Sequence, residues 1–380
     1  MIVNDHIREL VKWLEDSDPS EIQGAEFAGL LRKLVSEVRH AGERSETLER
    51  YQCYGDTTTE LSQYPLDRDG YAQAFDPLVE EEAFYECWRR YGIVVGKAIA
   101  SKELCDLTID RLRSITQALS DGACDLYDPS THTAIPLDAE GVPLISRGFF
   151  EIYHDDALAQ IRQLVRLYIH NSVIWGRADL WTSFDRIGVK LPDHTESAAL
   201  PLHVDQNPLQ HPKFQTTQGV LALTDCPKER GTFVGVPGSK FLFPEYARFA
   251  GRGEYVAVKT DDELGEKLHA QAQALPIRAG DVVTWDSRTT HSNSANISGE
   301  MRVVAYVAAG PVPENETQAL RPRQEALRTG LGSNVRDSLM HASMRPRYTN
   351  AEAIARVRKP EQLTKLGKLL YGEDSYRSVE

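Results

Sequence analysis

Long apolar runs are missing from this chain of 380 residues. None approaches the roughly 20 consecutive apolar residues that a membrane-spanning helix needs, so no bilayer span is expected. Positive charge is also in short supply: 43 Lys and Arg stand against 56 Asp and Glu, for a net charge of −13. Nucleic-acid binding depends on concentrated positive charge that displaces counterions. No basic cluster is present, which excludes nucleic acid as an expected partner. Cysteine is sparse as well. Cys53, Cys87, Cys105, Cys124 and Cys226 are odd in number, far apart and without a Cys-x-x-Cys pair. That pattern speaks against a disulfide framework or a zinc knuckle and for a reducing compartment. The opening Met1-Ile2-Val3-Asn4-Asp5-His6 lacks the basic flank and apolar stretch of a secretory leader, and a cytoplasmic protein is expected.

What is present changes character along the chain. Ile7, Leu10, Val11 and Leu14 recur at helical spacing, and Phe27, Leu30, Leu31, Leu34 and Val38 repeat the pattern in a second segment from about 21 to 50. The stretch from Tyr54 to Pro77, rich in Asp, Thr, Gly and Pro, reads as a loop. A helix is expected over Glu80 to Arg90, a short strand over Tyr91 to Val95, and a helix capped by Ser101 that runs to about Leu119. From Asp179 to Pro311 short β segments dominate, broken by turn residues. They are Trp181–Leu191, Leu202–Asp205, Gly219–Thr224, Thr232–Val236, Tyr255–Val258, Gln273–Ile277, Asp281–Trp285 and Met301–Ala308. Many short strands with turns between them indicate a sandwich or jelly roll rather than βαβ units. Beyond about Thr317 helical segments return, including Glu352–Arg358 and Pro360–Leu370. The organisation expected is a helical arm and loop over 1–77, a β core with leading helices over 78–315, and a helical segment over 316–380 packed on that core.

The most informative segment is Pro201-Leu202-His203-Val204-Asp205. Side chains two apart in an extended chain share a face, so His203 and Asp205 can converge on one ion. His291 is the distant partner. Two histidines and a carboxylate leave half of an octahedron open, which suits non-heme Fe(II), although catalytic zinc accepts the same donors. Eleven residues after His291, Arg302 opens the apolar run Val303-Val304-Ala305-Tyr306-Val307. A guanidinium at a strand start can reach into a barrel and pair with a carboxylate through two hydrogen bonds. The distal carboxylate of 2-oxoglutarate needs such a cation. An arginine taken at random is more often a surface ion pair; the fixed offset from His291 favours the clamp.

These segments resemble the phytanoyl-CoA dioxygenase-like branch of the Fe(II)/2-oxoglutarate oxygenases. Pro201 to Asp205 is similar to that family's His-x-Asp strand. Gly231-Thr232-Phe233-Val234-Gly235-Val236-Pro237-Gly238-Ser239 resembles its Pro-Gly-Ser-His turn, with Lys240 where His is usual. Gly280-Asp281-Val282-Val283 followed by His291, Asn296, Ser298 and Arg302 resembles its distal block, and Trp88 to Val95 its leading helix and strand. The resemblance covers about Leu78 to Pro311. It implies a mainly β fold with flanking helices around a double-stranded β-helix (jelly-roll, cupin-like) core. It implies His203, Asp205 and His291 as catalytic iron ligands and Arg302 as the 2-oxoglutarate clamp. Asn293 matches a place where members hold a small polar residue near the cosubstrate, and Arg147 lies about where some put a second cation. An Asn in a turn and an exposed Arg are the ordinary roles for such residues.

The activity so implied is hydroxylation of an unactivated C–H. Dioxygen and 2-oxoglutarate are cosubstrates, and succinate and carbon dioxide are released. Desaturation, ring closure, epimerisation and demethylation begin from the same hydrogen abstraction and stay open. Because related halogenases replace the ligand carboxylate with a small residue, Asp205 speaks against halogenation. Acyl-CoA is the substrate that the family's name suggests. This acidic chain shows no basic patch for the phosphates of CoA, so a small metabolite or natural-product intermediate is expected. Two other readings remain at this point: a cupin-type metal-dependent isomerase or lyase without oxygen chemistry, and a non-catalytic metal-binding member. The terminal helices either cover the barrel mouth or form a homodimer contact.

Overall fold

Apolar runs between Ile93 and Pro311 pair into two sheets, and helices before, among and after them close the outside. The computed structural model describes residues 1–17, 24–43, 61–138, 140–146, 148–192, 199–253, 255–333 and 362–378. The larger sheet contains β1 (Ala74–Phe75), β2 (Ile93–Gly96), β3 (Ile145–Ser146), β4 (Phe149–Phe150), β5 (Leu180–Thr182) and β6 (Ile187–Lys190). The smaller one begins with β7 (His203–Val204). The chain then crosses to the larger sheet with β8 (Thr217–Ala222) and returns for β9 (Phe233–Gly235), β10 (Val256–Ala257) and β11 (Gln273–Leu275). It alternates again through β12 (Val282–Asp286), β13 (His291–Asn293), β14 (Arg302–Tyr306) and β15 (Ala309–Pro311).

Hydrogen bonding orders the larger sheet β1-β2-β12-β8-β14-β6-β4-β3, with β15 bridging β8 and β5, and the smaller sheet β10-β7-β13-β9-β11. Apart from the parallel β1–β2 pair, the strand pairs are antiparallel. Two facing sheets visited in turn by one chain make a double-stranded β-helix, the jelly roll that the strand pattern predicts. The strand reading needs three adjustments. The run Trp181 to Leu191 is two strands, because the Phe184 peptide bonds Ser333 on both sides and the Asp185 carbonyl accepts from Arg162 instead of a ladder partner. The run Met301 to Ala308 likewise ends at Tyr306, and β15 follows separately. In the expected loop, Ala74 and Phe75 add a short strand beside β2.

The helices are α1 (Asp5–Asp16), α2 (Ala25–Glu43), α3 (Glu81–Tyr91), α4 (Lys102–Leu119), α5 (Asp156–Arg162), α6 (Val165–Trp175), α7 (Glu263–Ala270), α8 (Glu316–Thr329) and α9 (Lys365–Tyr371). Ser101 caps α4, its hydroxyl accepting from the Leu104 N–H at 3.2 Å. Helix is more plentiful than the strand pattern anticipates, chiefly through α5 and α6. Every residue of α6 from Leu167 to Trp175 is buried. A helix buried all round has no polar stripe, so it shows no 3.6-residue period to find. The expected helix over 352–358 lies outside the described residues.

The terminal helices share a core with the barrel. Ile7, Val11, Leu34 and Val38 cluster with Leu366, Leu369 and Leu370 and with Trp88, Val95 and Trp181. Two buried glutamates tie these ends down. Glu81 accepts from the Ile2 and Val3 N–H groups, and Glu316 from Tyr376 N and Ser375 Oγ. Cys87, Cys105, Cys124 and Cys226 are free and buried, and burial pushes the Cys87 thiol up to about 12. Among the described residues no helix is long and apolar enough to cross a membrane.

Helix α6 presses on the larger sheet through His170, whose Nε2 lies 2.8 Å from Thr284 Oγ1 of β12. Gly96 makes room for that ring, since a Cβ there would stand 2.4 Å from His170 Nδ1. Burial pushes His170 down to about 3, so the ring stays neutral in the fold. An unfolded histidine takes up its proton near pH 6.5. The unfolded chain therefore binds more protons at acid pH, and stability at this position is lost as pH falls from about 6.5. We predict that wild-type protein loses up to about 1.4 kcal/mol per pH unit relative to His170→Asn between pH 6.5 and 4. Denaturant titration across that range measures the difference. A pH-independent gap between the two proteins contradicts it.

Candidate metal centre

Strand register builds the centre. β7 and β13 are neighbours in the smaller sheet, and the ladder sets His291 directly opposite His203. Opposed residues of an antiparallel pair project from the same face, so both imidazoles turn one way, their ring centroids 4.4 Å apart. Asp205 follows two residues after His203 and returns to that face. Its Oδ2 lies 3.9 Å from His203 Nε2 and 3.6 Å from His291 Nε2. One ligand atom from each residue lies within 4.8 Å of the other two, and no other trio of His, Cys, Asp or Glu does so among the described residues. These spacings are too long for hydrogen bonds and short enough for a single ion to bind all three.

The surroundings orient each donor. His203 Nδ1 lies 2.7 Å from the Pro201 carbonyl oxygen, and His291 Nδ1 lies 3.0 Å from that of Thr289. A carbonyl oxygen only accepts, so in each neutral ring Nδ1 carries the hydrogen and Nε2 keeps its lone pair for a metal. Asp205 is held from behind. Gln218 Nε2 donates to Asp205 Oδ2 at 2.9 Å, and Trp285 Nε1 donates to Gln218 Oε1 at 3.0 Å. Because an indole N–H is only a donor, the Gln218 oxygen must face Trp285 and its NH₂ must face Asp205. With both rings neutral, two lone pairs and a carboxylate converge. Such a set suits a cation, and its donors fit octahedral Fe(II) with one face open.

Beside the trio lies a cavity of about 320 Å³ between the two sheets. Phe233, Trp285 and Val220 give it apolar walls; Tyr255, Leu200, Phe149 and Arg186 stand at its more exposed end. Tyr255 stacks on His203 with ring centroids 4.8 Å apart. Arg302, at the start of β14 in the facing sheet, lines the same cavity and is only 2% exposed. Its Nε and Nη1 have no hydrogen-bond partner. Donors buried without partners are costly, and an anion reaching the guanidinium would offset part of that cost. The structure therefore brings His203, Asp205, His291 and Arg302 around one space. Asn293 also lines it, from β13. Arg147 lies outside the described residues. Lys240, which stands where the family turn usually has His, is buried away from the cavity with its ammonium donating to the Trp88 carbonyl at 3.2 Å.

The sequence model of the phytanoyl-CoA dioxygenase (PhyH) family matches residues 88–304, more than half of the chain. This protein belongs to the phytanoyl-CoA dioxygenase family. Family members are non-heme enzymes that use iron and 2-oxoglutarate, and the residues present fit both groups: the trio would supply the iron donors, and the buried guanidinium of Arg302 would meet an anion. Among curated proteins the chain is similar to Ava biosynthesis cluster protein O of Aspergillus versicolor. The two are 24% identical over 249 residues, covering 60% of this chain and 78% of that protein. Among solved structures it is similar to the epimerase SnoN in complex with Fe3+, alpha ketoglutarate and nogalamycin RO. Identity is 18% and the TM-score 0.45, with 61% of this chain and 83% of that one covered. The carbocyclase SnoK from nogalamycin biosynthesis gives 21% and 0.42, covering 63% of this chain and 88% of that one. EctD from S. alaskensis with 2-oxoglutarate and 5-hydroxyectoine gives 17% and 0.42, covering 62% and 77%.

Three residues of the site escape a motif search. Gln218 and Trp285 read as strand interior, although a polar Gln amid Thr217–Ala222 is itself a signal that something buried needs a partner. Lys190 ends the apolar run of β6, is 2% exposed and faces Arg302 across the ladder. Burial, reinforced by the Arg302 guanidinium, pushes its ammonium down to about 7. Partners behind a metal ligand commonly govern affinity by about 10- to 100-fold. Replacing Gln218 by Leu is accordingly expected to weaken Co(II) binding by about that factor in a calorimetric titration, with Trp285→Phe intermediate. Unchanged affinity in both variants would show that the relay does not hold Asp205.

Proposed function

We propose that this protein is an Fe(II)/2-oxoglutarate-dependent dioxygenase that hydroxylates an unactivated C–H of a small molecule, releasing succinate and carbon dioxide. The observation that carries the reading is the pairing of the metal trio with Arg302 in one cavity, its guanidinium buried and two of its nitrogens unpartnered. A metal-dependent isomerase or lyase of the cupin kind, or a non-catalytic member, would have no use for that buried cation.

When bound, iron would activate dioxygen, the oxidant for C–H cleavage, and 2-oxoglutarate would be oxidised alongside to succinate and carbon dioxide. The chain's own residues supply position. His203, Asp205 and His291 would hold the metal and leave its remaining face toward the cavity. Arg302 would hold the distal carboxylate of 2-oxoglutarate, fixing where the keto-acid end lies. Phe233, Trp285 and Val220 keep water from the inner walls, and a dry site strengthens every charge contact within it. Asp205 as an intact carboxylate ligand favours oxygen chemistry over halogenation.

The cavity is small. At about 320 Å³ it lies at the lower end of the range of about 300–1,000 Å³ for ligand pockets, so beside a cosubstrate it admits only the reacting part of a substrate. The exposed end is aromatic and aliphatic. Arg186, the cation among its lining residues, is already engaged by Asp185 at 3.1 Å and Glu151 at 3.9 Å. Among the described residues of that end the phosphates of CoA would find little, which supports a small metabolite or natural-product intermediate over an acyl-CoA.

The test is oxygen-dependent conversion of 2-oxoglutarate to succinate by Fe(II)-loaded protein, followed by mass spectrometry of candidate substrates for a gain of one oxygen. Asp205→Ala is expected to abolish succinate formation. Arg302→Met is expected to raise KM for 2-oxoglutarate by about 100-fold or more, the loss of a charged bidentate contact. Turnover of a substrate without oxygen, indifferent to Arg302→Met, would favour the isomerase or lyase instead.

A further inference from the structure

Asp185 stands where the fold interrupts a strand. β5 ends at Thr182 and β6 begins at Ile187. In the gap the Phe184 N–H donates to Ser333 Oγ at 2.8 Å, and the Phe184 carbonyl accepts from the Ser333 N–H at 2.9 Å. The Asp185 carbonyl accepts from the buried Arg162 guanidinium. Ser333 follows α8, so the C-terminal segment takes part in fixing this gap. The Phe184 ring turns to the helical side, 5.3 Å from the Tyr371 ring and 4.3 Å from the Arg323 guanidinium. Asp185 turns the other way: it lines the cavity and is only 5% exposed.

Its carboxylate is only half used. Oδ1 accepts from the Arg186 N–H at 2.8 Å and from Arg186 Nε at 3.1 Å. Oδ2 accepts from no described residue. Restraining Arg186 does not call for this carboxylate, because that guanidinium also lies 4.6 Å from the Phe149 ring centre and 3.9 Å from Glu151. An acceptor buried without a donor is costly, and a guest that brings an N–H or O–H would satisfy it.

Charge decides which guest fits that end. The buried guanidinium of Arg302 suits an anion, whereas a second anion beside Asp185 would meet a like charge. The neighbouring walls are rings: Phe149 and Tyr306 lie 5.6 Å apart between centroids, and Tyr255 lines the same cavity. We propose that Asp185 is a specificity-determining residue of the substrate site: its free oxygen accepts from a hydroxyl or a protonated amine on the substrate, which carries that donor on an apolar body and turns no acidic group toward it. This rests on reading the cavity as an Fe(II)/2-oxoglutarate site. A carboxylate kept only to restrain Arg186 would leave the choice of guest untouched.

The experiment titrates three probes of like size, benzylamine, benzyl alcohol and benzenesulfonate, into protein loaded anaerobically with Mn(II) and saturating 2-oxoglutarate. Broadening of their ring protons by Mn(II), followed by NMR, reports molecules bound near the metal. Wild-type protein is expected to bind the amine and the alcohol about 10-fold or more tightly than the sulfonate, the scale of a charged hydrogen bond. Asp185→Asn is the decisive variant. The two Arg186 donors hold the amide by its oxygen, so an NH₂ group takes the place of Oδ2. An ammonium then meets a donor, and benzylamine should weaken by about 10-fold or more. A hydroxyl can turn round and accept, so benzyl alcohol should stay within about 3-fold, while benzenesulfonate tightens. Calorimetry with 2-oxoglutarate checks that both proteins are folded and loaded. Preference of the wild type for the sulfonate, binding of none of the three probes, or the same order of affinities in wild type and Asp185→Asn each overturn the proposal. Wild-type protein that takes up Mn(II) but no 2-oxoglutarate overturns the functional reading instead, a result separable from failed discrimination among the probes.

Discussion

One ladder contact carries the site: the antiparallel pairing that sets His291 of β13 opposite His203 of β7. A shift by one residue would turn either imidazole to the far side of the sheet, because strand side chains alternate with a period of two. The register is secured from outside the centre. β9 pairs with β13 on its other edge, matching His291 to Gly235, and the Val236 N–H donates to the Thr290 carbonyl just before the strand. With the backbone settled, the remaining freedom is rotation of rings and carboxylate. Carbonyls of Pro201 and Thr289 remove it for the histidines, and Gln218 removes it for Asp205.

Charge is distributed along the cavity with a purpose that the whole-chain value of −13 conceals. The Arg302 guanidinium supplies positive charge at the buried end, the Asp205 carboxylate faces the two histidines, and Arg186 near the exposed end is balanced by Asp185 and Glu151. Such local arrangement decides binding, and net charge does not.

Much of this was legible in residues alone, and the exceptions have physical causes. His203, Asp205 and His291 were visible because metal ligands are few in kind and the His-x-Asp spacing has a strand geometry behind it. Arg302 was visible through its offset and the apolar run it opens. The jelly roll followed from short strands separated by turns. Helix α6 was hidden by its complete burial, which erases amphipathic periodicity, and β13 by its polar residues, His291-Ser292-Asn293, which are buried yet do not read as strand interior. Lys190 was hidden because one lysine at the end of an apolar run resembles a strand terminus at the surface. Its burial depends on Gly148 and Gly231, neither of which is near it in sequence.

The depth of the cavity sets an order of events. Arg302 is 2% exposed, whereas Tyr255, stacked on His203 near the opening, is 38% exposed. A guest held by the guanidinium sits deeper than one resting on Tyr255. Entry from that exposed end makes the inner guest the first to arrive and the last to leave.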